Sequence, residues 1–317
     1  MSSSSSLDTA VLDAAFGADT FETLKLEVPG AKVRLRPHAE GDHVHVRGYV
    51  PDAETGAAQE LFDRKGISTH QSGDGLHVYG DPLSTTVEDW RWQHRHRVAV
   101  HLDVHLPPTL DVTAQTPGGE IDASDLAGTL NLTVMGGSLR AERLKGSLHA
   151  RGSGGSLMVK DSSASPLDLQ WSAGEVTLHK IASDATTLQA RAAPTTVHDS
   201  TGPVELSVHG APLDLEGVDG PCDARVQGGD ALTYHGAPTH DVSLTSVGGP
   251  LQTHLPPTHA ADLTLRGSQV DLDDAFSFKG KRTARLIEGT LNDGGPILHL
   301  RSVRGPATCH PQSPDQI

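Results

Sequence analysis

The sequence predicts an all-β protein, a β-solenoid of two-strand coils with a small β-rich N-terminal region, and three observations support this prediction. Apolar and polar residues alternate over most of the chain, and in the segment 98–106 every second residue is valine or leucine, which is typical of half-buried strands. The chain carries 34 glycines and 20 prolines, which mark frequent turns. From residue 110 onward, a segment of about 18 residues repeats along the chain.

The repeat is clearest in the four consecutive segments 110–128, 129–146, 147–165 and 166–183. Each segment has a strand of alternating apolar residues, a turn of small residues and a second short strand. The small-residue turns begin at Gly118, Gly136, Gly154 and Ala173. The same register is expected to continue, with looser spacing, through Gly210, Gly228, Gly248 and Gly294.

A segment this short cannot bury its own apolar face, so the repeat predicts stacked coils whose equivalent positions align. Gly118, Gly136 and Gly154 are then expected to lie one above another in equivalent turns. The alternative is an up-and-down meander folded as a β-sandwich. In the preferred register the following apolar residues are buried: Leu130, Leu132, Val134, Leu148, Ala150, Leu167, Leu169, Val204, Leu206 and Val208.

The chain is expected to consist of four regions. Residues 1–20 form a flexible leader, 21–96 an N-terminal β-rich capping region, 97–305 the β-strand-repeat solenoid and 306–317 a flexible tail. A capping insertion, marked by Phe276, Phe278 and the basic run 279–282, is expected to break the repeat register before its last segment.

The capping region 21–96 is expected to contain the only helical pattern, Ala53–Lys65, in which Ala58, Leu61 and Phe62 share one face and Gly66 ends the helix. The strands predicted in the same region are Leu24–Val28, Lys32–Arg36, His43–Tyr49 and Leu76–Tyr79.

Composition excludes several classes of protein. The chain is acidic, with 40 Asp and Glu against 25 Lys and Arg and a net charge of −15, so nucleic acid is not expected as a partner. No run approaches the roughly 20 apolar residues of a transmembrane segment. No Lys or Arg precedes the weakly apolar N-terminal stretch, so no signal peptide is expected and the predicted location is cytoplasmic. Two cysteines cannot form a disulfide framework.

The repeat resembles a bacterial β-strand-repeat family known as "putative adhesin", a domain of unknown function. The resemblance rests on GISTHQSGDGLHVYG (66–80), on RVAVHLDVHLPPTLDVTAQTPGGEIDASDLAG (97–128), and on the later GGSLRAERLKG and GGSLMVKD. It covers roughly residues 22–305. The resemblance implies a β-solenoid-like fold without known enzyme activity, and association with the cell envelope as the alternative location.

The 19 histidines are the most unusual feature of the composition. Two H-x-H pairs, His43 with His45 and His94 with His96, are the weak metal-site candidates, because such spacing puts two imidazoles on one strand face. His101 and His105 have the opposite strand parity to His94 and His96, so the imidazoles are not expected to converge on one ion. We therefore predict no metal and no cofactor.

No nucleophile elbow, zincin motif or phosphate-binding loop occurs in the sequence. The predicted function is a non-enzymatic β-solenoid scaffold or interaction protein, a monomer or weak homo-oligomer that binds a protein partner of unknown identity. One alternative is a carbohydrate-binding or carbohydrate-active β-helix, for which Trp90 and Trp92 are a candidate stacking platform. The other is a self-assembling structural protein.

Overall fold

A computed structural model describes residues 10–17, 22–38, 43–73, 75–81 and 99–312. The chain divides into two compact units, Met1–Gly155 and Ser156–Ile317. Over the described ranges the regular secondary structure is 29 strands and one ten-residue helix, α1 (Thr55–Arg64). The predicted all-β class is confirmed, and the sheets are long and mixed.

The strands of the first unit are β1 (Leu12–Gly17), β2 (Thr23–Glu27), β3 (Ala31–Pro37), β4 (His43–Tyr49), β5 (Ser68–Ser72), β6 (Gly75–Tyr79), β7 (Val100–Leu106), β8 (Asp111–Pro117), β9 (Glu120–Ser124), β10 (Thr129–Met135), β11 (Leu139–Glu142) and β12 (Ser147–Ser153). They form two sheets, with strand orders β1-β4-β7-β3-β9-β11 and β5-β6-β2-β8-β10-β12.

The strands of the second unit are β13 (Ser156–Ser162), β14 (Leu167–Ser172), β15 (Glu175–Ala182), β16 (Thr186–Arg191), β17 (Thr195–Thr201), β18 (Val204–His209), β19 (Leu213–Asp219), β20 (Cys222–Gln227), β21 (Leu232–His235), β22 (Val242–Val247), β23 (Leu251–Leu255), β24 (Ala261–Arg266), β25 (Val270–Leu272), β26 (Phe278–Arg282), β27 (Leu286–Leu291), β28 (Ile297–Val303) and β29 (Ala307–Pro311). Their sheets have the orders β13-β15-β17-β19-β21-β23-β29-β25 and β14-β16-β18-β20-β22-β28-β24-β27-β26.

From β8 to β23, successive strands alternate between the two sheets of a unit, and strands of one repeat pair in parallel with their equivalents in the next repeat of the same unit. In the first unit, Leu130 of β10 lies opposite Val112 of β8 and Leu148 of β12. In the second unit, β18 pairs in the same way with β16 and β20. Equivalent positions of the repeat are therefore neighbours in space.

The predicted core register is confirmed. All ten apolar side chains named for it are buried, with none more than 3% exposed. The predicted stacking of turns is also confirmed in the first unit, where the Gly118 N–H donates to Met135 O and the Gly136 N–H donates to Ser153 O. Gly118, Gly136 and Gly154 share a positive φ of 72° to 78°.

The helix matches its prediction closely. α1 buries Ala58, Leu61 and Phe62, and Gly66 follows the helix with a φ of +55°. At this positive φ a β-carbon would be strained, so glycine suits the end of the helix.

The expected break in the repeat also occurs. β27 runs antiparallel to both β24 and β26, and the basic run 279–282 lies in β26 at the edge of its sheet.

Three expectations require correction. Residues 12–17 of the expected leader form β1, which pairs with β4, and residues 307–311 of the expected tail form β29, which pairs with β23 and β25. Both segments are short and weakly apolar, but neighbouring strands offer them unpaired backbone groups. The repeat register was also wrong at Gly294, whose N–H donates to Leu291 O just after the antiparallel β27.

The strand order is not sequential near one end of each unit. In the first unit, β2 lies between β6 and β8 in one sheet, and β3 lies between β7 and β9 in the other. In the second unit, β28 lies between β22 and β24, while β29 lies between β23 and β25.

Candidate binding surfaces

The structure brings the first predicted histidine pair into a larger cluster. His43 and His45 lie on β4, and half-buried His38 and His105 lie beside them. The ring centroids are 4.0 Å apart for His38 and His43, and 6.5 Å apart for His45 and His105. The His45 Nε2 also lies 2.6 Å from a carboxylate oxygen of Asp13, to which it donates a hydrogen bond.

Burial is the main cause that lowers the pKa of His105 below its ordinary value. The charges of His45, His38 and Arg36 act in the same direction, while Asp103 opposes them. The neutral form of the His105 imidazole is thus favoured.

The described part of the chain contains no group of three or more His, Cys, Asp or Glu side chains arranged to hold a metal ion. The second predicted pair, His94 and His96, lies outside the described residues. Sequence reasoning missed that His38 and His105 join His43 and His45, because this contact depends on the antiparallel pairing of β4 with β7.

A second arrangement of histidines follows the repeat in the second unit. One outward position of seven neighbouring strands forms a continuous line of titratable side chains. We call this line the histidine column, and its members are Lys160, His179, His198, Glu216, His235, His254 and His310.

The contacts along the histidine column are close. The rings of His235 and His254 stack with centroids 4.4 Å apart and an interplanar angle of 4°, and His254 lies 5.8 Å from His310. His198 Nδ1 lies 2.9 Å from a carboxylate oxygen of Glu216. Parallel pairing in register produces this stacking, because it places equivalent positions of successive strands side by side.

Burial lowers the pKa of His254, and the neighbouring His235 and His310 lower it further, while Asp214 opposes the shift. The His254 imidazole therefore favours its neutral form, which hydrogen-bonds as donor and acceptor at once. The sequence contains the signal for this column, namely a histidine at the same outward position of several repeats, but only the exact register reveals it.

The first unit contains a cavity of about 330 Å³ beside Tyr79, whose side chain is 41% exposed. Glu27, His77, Gln115 and Pro117 are among its lining residues. We call it the Tyr79 cavity.

The polar groups of the Tyr79 cavity hold one another in place. One carboxylate oxygen of Glu27 lies 2.9 Å from Lys25 Nζ, and the other lies 2.8 Å from His77 Nε2. The hydrogen bond from Lys25 is the largest cause that lowers the Glu27 pKa, and His77 acts in the same direction, while burial opposes them. The His77 ring lies 5.2 Å from the Tyr79 ring.

The remaining candidates do not combine into a site. Trp90 and Trp92 lie outside the described residues. Cys222 and Cys309 are free and buried, and burial raises the pKa of each thiol to about 12. Thiolate chemistry is therefore unfavourable at either residue, and Cys222 takes the core position equivalent to Val204 on the neighbouring strand.

The chain matches no family model, and no curated protein matches it. Solved structures that match include a putative lipid binding protein from Parabacteroides distasonis ATCC 8503, with 10% identity, coverage of 95% of this chain and 96% of that chain, and a TM-score of 0.44. A putative adhesin from the same organism has 9% identity, the same coverage and a TM-score of 0.37.

A putative adhesin from Bacteroides fragilis NCTC 9343 matches with 13% identity, coverage of 95% of this chain and 96% of that chain, and a TM-score of 0.34. The resemblance expected from the sequence is thus found among solved structures. At these identities and TM-scores it carries no argument about function. Among the described residues, no helix is long and apolar enough to cross a membrane.

Proposed function

We propose that this chain is a non-enzymatic β-solenoid scaffold whose outer sheet faces bind a protein partner. The solenoid is supported by the parallel pairing of each strand with its equivalent one repeat away, as in β16, β18 and β20. It is also supported by the burial of the same apolar positions in successive repeats. Stacked coils of this kind offer extended, regular faces to partners.

The observation that carries the proposed binding role is the histidine column. His235 and His254 stack on neighbouring strands, and the sheet beneath them fixes their spacing. Because rigid strands hold the imidazoles in place, little side-chain entropy is lost when a partner donates or accepts hydrogen bonds there. A protein surface with complementary polar groups is the partner that this face fits.

The test is affinity capture with the purified chain, followed by titration with the purified captured protein. We expect His235→Ser combined with His254→Ser to weaken binding by at least tenfold. The matched control, His149→Ser with His209→Ser, removes two histidines elsewhere and is expected to bind normally. A chain that captures no protein, or that turns over a polymer substrate when purified, contradicts the proposal.

The Tyr79 cavity favours carbohydrate binding as a second candidate function. An exposed tyrosine ring can stack on the apolar face of a sugar, while the carboxylate of Glu27 and the amide of Gln115 can hydrogen-bond its hydroxyls. Screening against neutral and acidic glycans tests this function. We expect Tyr79→Ala to abolish any binding that is found, and binding unchanged by this substitution would contradict the assignment to this cavity.

The oligomeric state and the location stay predictions. A monomer or weak homo-oligomer is expected, and light scattering across protein concentrations measures this. Cytoplasmic and envelope-associated locations are distinguished by fractionating cells that express the chain.

A further inference from the structure

Three members of the histidine column form an uninterrupted row of imidazoles. His235 of β21, His254 of β23 and His310 of β29 occupy the same register position on three adjacent parallel strands. Each side chain is half-buried. The ring centroids are 4.4 Å apart for the first two residues and 5.8 Å apart for the last two. We call these three residues the histidine triplet.

The outward residues two positions before the triplet on the same strands carry no charge. They are Thr233, Gln252 and Thr308, which lie in register with one another. The charged groups that face the triplet therefore come from the strands on either side of it.

One side of the triplet is flanked by two carboxylates of β19. Glu216 lies in register with His235, but a carboxylate oxygen of Glu216 lies 2.9 Å from His198 Nδ1, so this carboxylate already has a histidine partner outside the triplet. Asp214 lies two residues earlier on the same strand. Burial and the neighbouring histidines lower the pKa of His254, and the charge of Asp214 opposes this shift.

The other side of the triplet is flanked by Asp271 of β25 and by Asp273, which follows this strand. The Asp273 N–H donates to the carbonyl oxygen of Cys309, which places Asp273 beside His310. The Asp273 carboxylate accepts a hydrogen bond of 2.9 Å from the backbone N–H of Ala275. Within the described ranges, the carboxylates thus lie at the two ends of the triplet, and none lies in register between its imidazoles.

Protonation changes the triplet from three neutral rings into a row of adjacent positive charges. Neighbouring strands are about 4.8 Å apart, so each charge on the triplet repels the next one. An anion bound across the row relieves this repulsion, and by thermodynamic linkage the bound anion favours the uptake of protons in turn. Because the half-buried rings are held in register by the sheet, little side-chain freedom is lost on binding.

We propose that the histidine triplet is an acid-dependent binding site for a carboxylate-rich segment of the protein partner. Glutamate and aspartate side chains stay negative at a pH near 5.5, where histidine side chains take up protons. This inference rests on the proposed function, since it supposes a protein partner. It adds the chemistry of that partner and the pH range in which the partner binds.

The first experiment is calorimetric titration of the full chain with an end-blocked hexapeptide of glutamate, at pH 5.5 and at pH 7.5 in low salt. The comparison peptide is the hexapeptide of glutamine, which keeps the length and lacks the charge. We expect the glutamate peptide to bind at least tenfold more tightly at pH 5.5, because the uptake of one proton changes the affinity by up to about tenfold per pH unit. We expect the glutamine peptide to show no such pH dependence.

A second measurement follows the imidazoles directly. Titration of the histidine signals by NMR, with and without the glutamate peptide, reports their pKa values. We expect the pKa of His254 to rise when the peptide is bound, because the bound carboxylates favour the protonated ring. The pKa of His149, on β12 outside the column, is expected to stay constant.

The third experiment uses the double variant His254→Gln and His310→Gln, which keeps polar side chains at both positions. At pH 5.5 we expect it to bind the glutamate peptide at least tenfold more weakly than the natural chain, and at pH 7.5 we expect this difference to disappear. The matched control, His149→Gln with His209→Gln, removes two histidines from β12 and β18 and is expected to bind normally.

Several results would overturn the inference. These are the absence of glutamate-peptide binding at pH 5.5, equal binding at both pH values, equal binding of the glutamine peptide, a His254 pKa that does not respond to the peptide, or equal weakening by both double variants.

Affinity capture at the same two pH values separates this inference from the proposed function. A protein that the histidine column captures equally at pH 5.5 and at pH 7.5 overturns the inference and leaves the proposed function standing. A natural chain that captures no protein at either pH overturns both.

Discussion

At the scale of single residues, the paired glycines of the repeat serve two different purposes. At Gly136 the φ of +78° favours glycine, although an added β-carbon would meet nothing within 4 Å. At Gly137 the φ is ordinary, but an added β-carbon would lie 1.7 Å from the carbonyl oxygen of Gly119 in the neighbouring turn. The first glycine permits the turn, and the second permits the close approach of neighbouring turns.

This difference gives a prediction for two alanine substitutions. Gly136→Ala is expected to cost about 1–2 kcal/mol, because it only places a β-carbon in the left-handed region. Gly137→Ala is expected to cost more than about 3 kcal/mol, because the backbone of two turns must separate. Chemical denaturation of both variants measures the difference, and equal destabilisation would contradict the assignment of two roles.

The histidine column allows a second prediction at this scale. His254 is expected to titrate below the usual histidine range, since burial and the neighbouring His235 and His310 lower its pKa. Replacing its stacked neighbour in His235→Gln should raise the His254 pKa, because a positive charge is removed and the ring becomes more exposed. Titration followed by NMR measures both values, with His149→Gln as the distant control. A His254 pKa that falls or stays constant in His235→Gln would show that the stacking is absent in solution.

At the scale of elements, the edge strand β26 protects its sheet. It is the outermost strand of its sheet, and an uncovered edge strand can pair with other chains. Lys279, Lys281 and Arg282 are all exposed on this strand, and charged side chains of this kind discourage such pairing.

We therefore expect Lys279→Val combined with Lys281→Val to increase self-association while leaving the melting temperature nearly unchanged. The measurement is light scattering over a range of protein concentrations. Lys160→Val with Arg225→Val, which changes the interior strands β13 and β20 away from this edge, is the control. If both variants associate equally, lost charge rather than the edge position is responsible.

The sequence predicts individual strands better than their neighbours. Alternation and the small-residue turns identified the register around Leu130, and the helical spacing of apolar residues identified the face of α1 that contains Phe62. The insertion of β28 between β22 and β24 has no sequence signal, because it depends on which edge remains open after the other strands have paired. The same limit hid the contact of His45 with His105. The histidine column also needed the exact register, although its histidines recur at one outward position of several repeats.

At the scale of the whole molecule, the net charge of −15 is expected to limit stability. Repulsion among the carboxylates destabilises the compact state and is screened over about 10 Å at 0.1 M salt. We expect the melting temperature to rise with added salt and not to respond to a chelator. Thermal melts across a range of salt concentrations, and with and without a chelator, test this. A melting temperature that falls sharply with chelator would point to a metal site, with His43, His45, His94 and His96 as the first candidates.

Stability is also expected to depend on pH in a definite direction. The folded-state pKa values of His105, His254 and His259 all lie below the ordinary 6.5, with burial as the main cause. The unfolded chain then binds more protons than the folded chain once the pH falls below about 6.5, so folding stability decreases towards acid. Denaturation midpoints between pH 8 and pH 5 measure this, and a midpoint that rises on acidification would contradict it.

The position of β28 and β29 has a consequence for synthesis. Both strands follow β22, β23, β24 and β25 in the chain, yet they lie between these earlier strands in the sheets. Until residue 303 has emerged, β22 keeps an open edge and β24 lacks its parallel partner. A chain that stops before Ile297 therefore lacks an interior strand in each of the two sheets, not an edge strand. The native strand order of the second unit is completed only after β29 has been translated.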